Sequence, residues 1–189
     1  AAGLPFSSIR AGKDMDIYEL VAYRRSVREW SDRTIEEPVL TRILDAARLA
    51  PSAKNRQEWY VVVVRDEKTR RALGTECARQ PFVGEAPVVL VICGDPSVGI
   101  MRCGMPRMPM DTAILIDHIT LLAASEGLGT CWIGSFDADM AAELVSLPTG
   151  WVVAQLLPIG YPQDPHRFDK ERKSFRDVVG YERWGGRAE

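Results

Sequence analysis

Apolar residues along this chain follow two spacings, one helical and one strand-like, in well-separated segments. Helical spacing predicts helices at residues 16–24, 36–50, 68–77, 111–126 and 140–144. Short, β-branched and almost wholly apolar runs predict buried strands at residues 60–64, 87–93 and 151–159, with a short strand or turn at 130–134. No linker separates these elements, so the pattern predicts one mixed α/β or α+β domain.

Several residues mark the predicted helix boundaries. Pro38 lies just inside the start of the second helix, and Pro51 ends it because the residue before a proline disfavours helix. Asp111 is predicted to cap the helix over residues 111–126. Gly127 supplies the left-handed residue that stops this helix.

The helix predicted at residues 111–126 is apolar around much of its circumference, more than one face of a sheet would cover. This predicts burial on two sides, and hence a partner subunit. Residues 97–110 contain glycines, prolines and methionines, and are predicted to form a mobile loop or lid. After residue 162 the tail is polar, but its apolar anchors predict that it wraps across another surface: Val178, Val179, Tyr181 and Trp184.

Composition excludes some classes of function. The chain has 189 residues, 46% of them hydrophobic, and a formal net charge of -2, so no general basic field favours nucleic acid. No apolar run reaches the roughly 20 residues of a membrane span. Residues 1–14 lack the apolar stretch of a signal peptide, and are expected to be an N-terminal arm or a vector-derived remnant, with Met15 as a plausible native start.

The four cysteines lack the Cys-x-x-Cys spacing of a zinc site, and only two histidines are present, His118 and His166. Neither a metal site nor a disulfide framework is expected. Free thiols without an export signal indicate a reducing cytoplasm.

Three arginines lie within five residues, Arg24-Arg25-Ser26-Val27-Arg28, where the first predicted helix ends. Guanidinium groups at that density suit an oxyanion such as a phosphate or a carboxylate, and Arg24 and Arg28 would share a face if the helix continued. A solvated basic face is the alternative interpretation.

Three further segments could contact a ligand. Residues 50–59 carry Ser, Asn and Gln side chains that suit the edge of a heteroaromatic ring, and the glycines of residues 127–135 would let a backbone approach a flat ligand. A second basic group could add cations to a phosphate: Arg167, Lys170, Arg172, Lys173 and Arg176. Each segment also has an ordinary structural explanation: a self-capped loop, a helix stop and a solvated tail.

Taken in order, these four segments resemble the FMN-dependent nitroreductase family. The resemblance covers residues 15–184 and rests on Arg-Arg-Ser-Val-Arg, Ala-Pro-Ser-x-x-Asn-x-Gln, Gly-Leu-Gly-Thr-Cys-Trp-Ile-Gly, Leu-Pro-Ile-Gly-Tyr-Pro, and Arg-Lys with a closing Tyr-x-x-Trp. It implies an α+β fold with a central mixed or antiparallel sheet flanked by helices, within one domain over residues 15–189. It also implies an intertwined homodimer with an exchanged C-terminal tail and two interface FMN sites.

The resemblance also implies how each segment holds FMN. Contacts to the phosphate and to the N1–O2 edge of the ring would come from Arg24, Arg25, Ser26 and Arg28. The other subunit would contribute Pro51, Ser52, Ala53, Asn55 and Gln57. The ring near N5 would lie along Cys131, Trp132, Ile133 and Gly134. The phosphate would be closed off by Arg172 and Lys173.

The implied function is an NAD(P)H-dependent oxidoreductase that passes a hydride through flavin N5 to a small acceptor such as a nitroaromatic or a quinone, in a ping-pong cycle. No protein side chain is assigned as catalytic, and neither histidine is expected to be. Absence of Gly-x-Gly-x-x-Gly fits a nicotinamide that stacks on the flavin. The alternatives are a specialised flavoenzyme of the same fold (flavin fragmentation, reductive dehalogenation, peptide oxidation) and a non-enzymatic flavin carrier or sensor.

One departure from the family concerns the pyrimidine edge of the flavin. Many relatives place a lysine or an asparagine there, whereas this chain offers Arg79 and Gln80, of which Gln80 is the better candidate.

Overall fold

The computed structural model describes residues 15–165 and 170–187, and within them four strands form one sheet. The strands are β1 (Trp59–Val64), β2 (Val88–Gly94), β3 (Gly129–Thr130) and β4 (Val152–Gly160). Their order in the sheet is β1-β2-β4-β3, and every pairing is antiparallel. Of the two predicted arrangements, mixed and antiparallel, the described sheet is therefore the antiparallel one.

Seven α-helices accompany the sheet in the described residues. They are α1 (Ile17–Tyr23), α2 (Glu37–Ala47), α3 (Glu67–Ala72), α4 (Pro81–Glu85), α5 (Arg107–Ser125), α6 (Ala138–Leu144) and α7 (Phe175–Val178). Five correspond to helices expected from the periodicity, and α3 continues into a π-helical turn at Leu73–Cys77. The short α4 and α7 had no periodic pattern long enough to reveal them.

Residues of β2 alternate between two hydrophobic cores, one on each face of the sheet. Leu90 and Ile92 belong to the core that α2 and α5 cover, whereas Val89 and Val91 belong to the core that the π-helical turn, α4 and α6 cover. Because both faces are covered, β2 is apolar along its whole length, as its run of valines indicates. The sheet is thus the middle layer between two layers of helices.

The beginning of α5 corrects one prediction. This helix begins at Arg107 with Pro106 in the N-cap position, so Asp111 lies inside the helix and does not cap it. The predicted lid over residues 97–110 is partly ordered by this extension and by a bridge between Ile100 and Pro106. A proline in the N-cap position carries no side-chain acceptor, which is why the sequence pattern pointed to the aspartate instead.

The second buried side of α5 is covered partly by α2 of the same chain. Two-sided burial of this helix therefore does not by itself require a partner subunit. Gly127, with a φ of 77°, follows the end of α5 as predicted.

The described C-terminal tail has no core of its own. Phe175, Val178 and Tyr181 are exposed, and Trp184 is fully exposed. Across residues 15–165 and 170–187, no helix combines the length and the apolar character needed to cross a bilayer.

Candidate functional site

The arginine segment is an extended strand-like piece that follows α1. The helix ends at Tyr23, so the five residues from Arg24 do not share a helical face. Ser26 forms a parallel bridge with Thr130, and the Val27 amide donates to the Thr130 carbonyl oxygen at 2.9 Å. With the Val27 side chain buried, the neighbouring Ser26 and Arg28 face outward. The segment thus presents its polar side chains along the end of the sheet.

A cavity of about 530 Å³ opens beside this segment. Its described lining contains five basic residues and three acidic ones. The basic ones are Arg24, Arg25, Arg28, Lys170 and Arg172; the acidic ones are Glu29, Asp164 and Glu171. Two basic segments far apart in the sequence thus meet at one cavity. The FMN contacts that the resemblance implied for them stay a prediction. Such an excess of cations, with guanidinium donors from two directions, suits a phosphate group.

Within this basic group the structure differs from the prediction in detail. Arg172 lines the cavity, whereas Lys173 is exposed and is not among the described lining residues. Lys170 lines the cavity, and its ammonium donates to the Val21 carbonyl oxygen at 2.9 Å, which ties the tail to α1. Arg25 is similarly tied, since its guanidinium donates to the Asp164 carbonyl oxygen. Arg167 and His166 lie outside the described residues.

Residues 131–134 run alongside the arginine segment, with alternate side chains buried. Cys131 and Ile133 are only 2% and 3% exposed, while Trp132 and Gly134 face outward. Burial raises the pKa of the Cys131 thiol, and the nearby Arg28 and Ser26 only partly oppose this. A ligand along this segment would meet the backbone of Cys131 and Ile133 and the side chain of Trp132. The thiol of Cys131 is a packing group here.

The loop over residues 51–58 has an unusual backbone. Three residues other than glycine have positive φ: Lys54 at 58°, Asn55 at 53° and Gln57 at 54°. The Ser52 hydroxyl oxygen accepts a hydrogen bond from the backbone N–H of Gln57 at 2.9 Å, which links the two ends of the loop. Backbone strain of this kind costs on the order of 1–3 kcal/mol a residue and is concentrated at functional sites. The loop is therefore a candidate contact surface.

In one chain this loop and the arginine cavity lie at opposite ends of α5. Ala53 donates its amide to Asp111 near the start of the helix, whereas the arginine segment borders Thr120 and Ala124 near its end. The 13-residue separation between Asp111 and Ala124 corresponds to about 20 Å along a helix. One chain therefore does not bring the predicted loop residues to the predicted phosphate residues: Pro51, Ser52, Ala53, Asn55 and Gln57 remain apart from the cavity.

Two buried carboxyl groups behind the loop were missed by the sequence reasoning. Glu58 is 7% exposed and Asp111 is 3% exposed. Neither carboxylate oxygen of Glu58 has a hydrogen-bond partner among the described residues. A glutamate directly before a buried strand was the only sequence signal, and charged residues are common at that position.

The remaining predicted candidates lie elsewhere. Gln80 precedes α4, and its backbone N–H donates to the Gly74 carbonyl oxygen at 2.8 Å. In the described structure Gln80 does not line the arginine cavity. His118 lies within α5, with Nδ1 3.0 Å from the Ile114 carbonyl oxygen, which is a packing arrangement.

Comparison with family models gives a match to the nitroreductase family over residues 21–80 and 74–161. A "Putative NADH dehydrogenase/NAD(P)H nitroreductase" of Archaeoglobus fulgidus is 32% identical over 171 residues, which cover 88% of this chain and 97% of that protein. A crystal structure of a nitroreductase family protein from Clostridium difficile 630 superimposes with a TM-score of 0.79 at 31% identity, covering 90% of this chain and 100% of the other.

Other relatives carry more specific names. A "5,6-dimethylbenzimidazole synthase" of Rhodospirillum rubrum is 31% identical over 185 residues, covering 84% of this chain and 86% of that protein. An "FMN reductase [NAD(P)H]" of Bacillus subtilis is 26% identical over 166 residues, covering 79% and 67%. Similar chains thus support more than one named reaction.

Proposed function

This chain belongs to the nitroreductase family, and on that premise we propose that it catalyses the NAD(P)H-dependent reduction of a small acceptor, such as a nitroaromatic or a quinone, with FMN as cofactor. The observation that carries the proposal is the basic cavity, in which the arginine segment and the C-terminal tail converge. The names of two relatives, an NAD(P)H nitroreductase and an FMN reductase, support the donor and the cofactor.

The donor set of the cavity fits the phosphate of FMN. Arg24, Arg25 and Ser26 would bind the phosphate from one side and Arg172 from the other, with Lys173 as an outer cation. A group with a charge near −2 is bound best by planar guanidinium donors that approach from two directions. A hydroxyl such as that of Ser26 adds a donor that can rotate to suit a phosphate oxygen.

Bound FMN would supply two-electron chemistry at N5. Arg28 lines the cavity. Its guanidinium would stabilise negative charge at the N1–O2 edge of the flavin ring. Outward-facing Trp132 and the backbone from Cys131 to Gly134 would border the ring and exclude water on that side. This scheme needs no general base from the protein, in keeping with the packed state of His118 and Cys131.

A homodimer would complete this site. In one chain the loop contacts Asp111, about 20 Å along α5 from Ala124 beside the arginine segment, and no loop residue lines the cavity. The loop of a second chain would then contact the ring. The exposed apolar tail residues, Phe175 and Trp184, would then cross the partner. Exposed aromatic groups of this size are favourable at an interface, because each removes a large apolar area from water.

A flavin reduction and reoxidation assay tests the proposal. The purified protein, loaded with FMN, should be yellow, lose its colour with NADH or NADPH without oxygen, and regain it with a nitroaromatic. An Arg24→Ala/Arg28→Ala double variant should lose FMN binding, whereas Lys68→Ala, which removes an exposed charge on α3, should behave like the parent protein. Failure of the parent protein to bind FMN would contradict the proposal.

Flavin fragmentation, one of the alternatives implied by the resemblance, is a second candidate, and a relative named for the synthesis of a benzimidazole supports a product other than a reduced acceptor. Chromatography of the flavin after many turnovers separates the two. Intact FMN supports the reductase, and stoichiometric loss of FMN with a benzimidazole product supports the second candidate.

A further inference from the structure

Glu58 is a buried acid that forms no salt bridge within the described residues. It lies immediately before β1, and both of its carboxylate oxygens are shielded from solvent without a hydrogen-bond partner in the described part of the chain. Leaving an ionised carboxylate in such a place costs several kcal/mol, so the group either finds a cation or keeps a proton. The structure offers a second acid beside it.

That second acid is Asp111 on α5, which is also buried. Oδ2 of Asp111 accepts a hydrogen bond from the backbone N–H of Ala53 at 2.9 Å. This carboxyl group is therefore hydrogen-bonded to the loop that precedes β1. The backbone of Glu58 is tied as well, because its carbonyl oxygen accepts the Asp95 amide at 3.2 Å. The two carboxyl groups thus connect helix α5, the start of β1 and the loop over residues 52–57.

The electrostatics of the pair favour a proton on Glu58. Burial raises the pKa of the Glu58 carboxyl, and the neighbouring Asp111 raises it further. Two groups oppose this rise in pKa: the backbone N–H of Glu58 itself and, more weakly, Arg56, whose side chain is exposed to solvent. Two buried carboxyl groups side by side hold one proton in common, because both cannot ionise without strong repulsion.

We propose that Glu58 and Asp111 share one proton, and that this proton holds residues 52–57 in their ligand-contacting conformation. The shared proton lets the acid donate to Asp111 while Asp111 accepts the amide of Ala53. Loss of the proton to solvent would leave two like charges behind the loop, and moving the loop outward would relieve the repulsion. Only the link from the loop to FMN rests on the proposed function; the shared proton does not.

The pH dependence has a definite sign. Because the folded chain holds the Glu58 proton more tightly than the unfolded chain, the contribution of Glu58 to the free energy of unfolding is greatest at low pH. It falls as the pH rises from the ordinary glutamate value of 4.5 through the raised pKa of the folded state. One linked proton changes the unfolding equilibrium constant by at most about tenfold per pH unit over that window.

The test compares the parent protein with Glu58→Gln in urea unfolding at a series of pH values between about 5 and 9. Glutamine keeps the shape and can donate to Asp111, so this variant should lack the fall in stability that the parent shows. Glu143→Gln, which alters an exposed acid on α6, is the matched control and should follow the parent. Parallel profiles for the parent and Glu58→Gln would overturn the proposal.

A measurement on the parent protein alone guards against a variant that does not fold. As the pH is raised above the ordinary glutamate value of 4.5, infrared spectra should show a carboxylic-acid C=O stretch that persists after the exposed carboxyl groups have ionised and disappears at higher pH. If no such band outlasts the ionisation of the exposed carboxyl groups, the shared proton is overturned. Amide exchange at Ala53 should accelerate with pH more in the parent than in Glu58→Gln, and equal acceleration would overturn the link to the loop.

FMN binding separates this inference from the proposed function. The dissociation constant for FMN should rise with pH in the parent and stay flatter in Glu58→Gln. If FMN binds with the same pH profile in both proteins, the inference about the loop fails and the proposed function stands. If neither protein binds FMN but their stability profiles diverge with pH, the proposed function fails and the shared proton stands.

Discussion

Gly129 and Val27 approach more closely than any side chain at position 129 would allow. A Cβ atom built on Gly129 would lie 2.3 Å from Cγ2 of Val27, well inside van der Waals contact. At the next residue, Thr130 accepts the Val27 amide at 2.9 Å. The missing side chain of this glycine is thus what allows the arginine segment to lie flat against β3. The position of the arginine segment therefore depends on this close contact between Gly129 and Val27.

A Gly129→Ala substitution should displace the arginine segment from β3. An added methyl in a tightly packed place costs about 1–3 kcal/mol of folding free energy, and the shift should move Ser26 and Arg28 as well. We expect a lower melting temperature together with weaker FMN binding, measured by thermal unfolding and by flavin fluorescence.

A double-mutant cycle checks the cause. Val27→Ala removes the nearest colliding methyl, at 2.3 Å, but leaves Cβ of Val27 at 2.7 Å. Its combination with Gly129→Ala should therefore relieve part of the collision and cost less than the sum of the two single changes. Gly134→Ala serves as a stability control, because a Cβ there would meet Gln155 at an ordinary 3.6 Å. Additive costs in the cycle would show that the collision is not the cause.

Arg24 and Arg28 should affect different steps. Replacing Arg24 with alanine removes a cation from the phosphate end, so the dissociation constant of FMN should rise roughly tenfold or more, as for a lost charged hydrogen bond of about 1.5–3 kcal/mol. Replacing Arg28 with alanine should slow flavin reduction by NAD(P)H more than it weakens FMN binding. Stopped-flow reduction and fluorescence titration measure the two effects. If Arg28→Ala affects only FMN retention, this division of roles is wrong.

The four cysteines should differ sharply in reactivity. Cys77, Cys93 and Cys131 are buried and Cys103 is exposed. Burial raises the pKa of Cys93 to about 11, and it raises the pKa of Cys77 and Cys131 as well, which keeps these thiols protonated near neutral pH. A thiol reagent should therefore label one cysteine quickly in the native protein and four after unfolding. The quick label should vanish in Cys103→Ser, and quick labelling that persists in that variant would contradict the assignment.

The aromatic tail should contribute to dimer stability. Phe175→Ala combined with Trp184→Ala removes two exposed aromatic groups of the tail, and truncating an interface anchor costs about 2 kcal/mol, or ~30-fold in dissociation constant. Sedimentation across a range of concentrations measures the change. Glu182→Gln, a polar change in the same tail, should leave the dimer unaltered. An unchanged dissociation constant in the double variant would show that the tail does not cross the partner.

Individual helices and strands could be predicted from the sequence because they depend on local patterns, whereas their arrangement in layers came from the resemblance to a family. The valine-rich β2 and the periodic α2 carried strong signals, and their observed bounds are close to the predicted ones. Prediction was wrong at Asp111, where a helix that begins at Arg107 places this residue inside and turns its side chain toward Ala53. A cap and a tertiary anchor use the same residue type, and only the folded chain distinguishes them.

The lining of the arginine cavity could be predicted to the level of segments but not of individual side chains. The sequence brought Arg24 and Arg172 to one place, as the cavity does, but it did not distinguish Lys170 from Lys173 as the lining residue. The sequence also did not reveal that Glu58 is buried, because the burial of a single acidic side chain depends on residues that are distant along the chain. Such contacts depend on how α5 packs, which no local pattern encodes.

The position of the strained loop and the arginine segment at opposite ends of α5 has a genetic consequence. If each site takes its loop from one chain and its arginines from another, a chain defective in Asn55 and a chain defective in Arg24 damage different halves of the same site. Mixed assemblies of the two would contain one site with both defects and one with neither. Two inactive alleles expressed together would then restore part of the activity that each lacks alone.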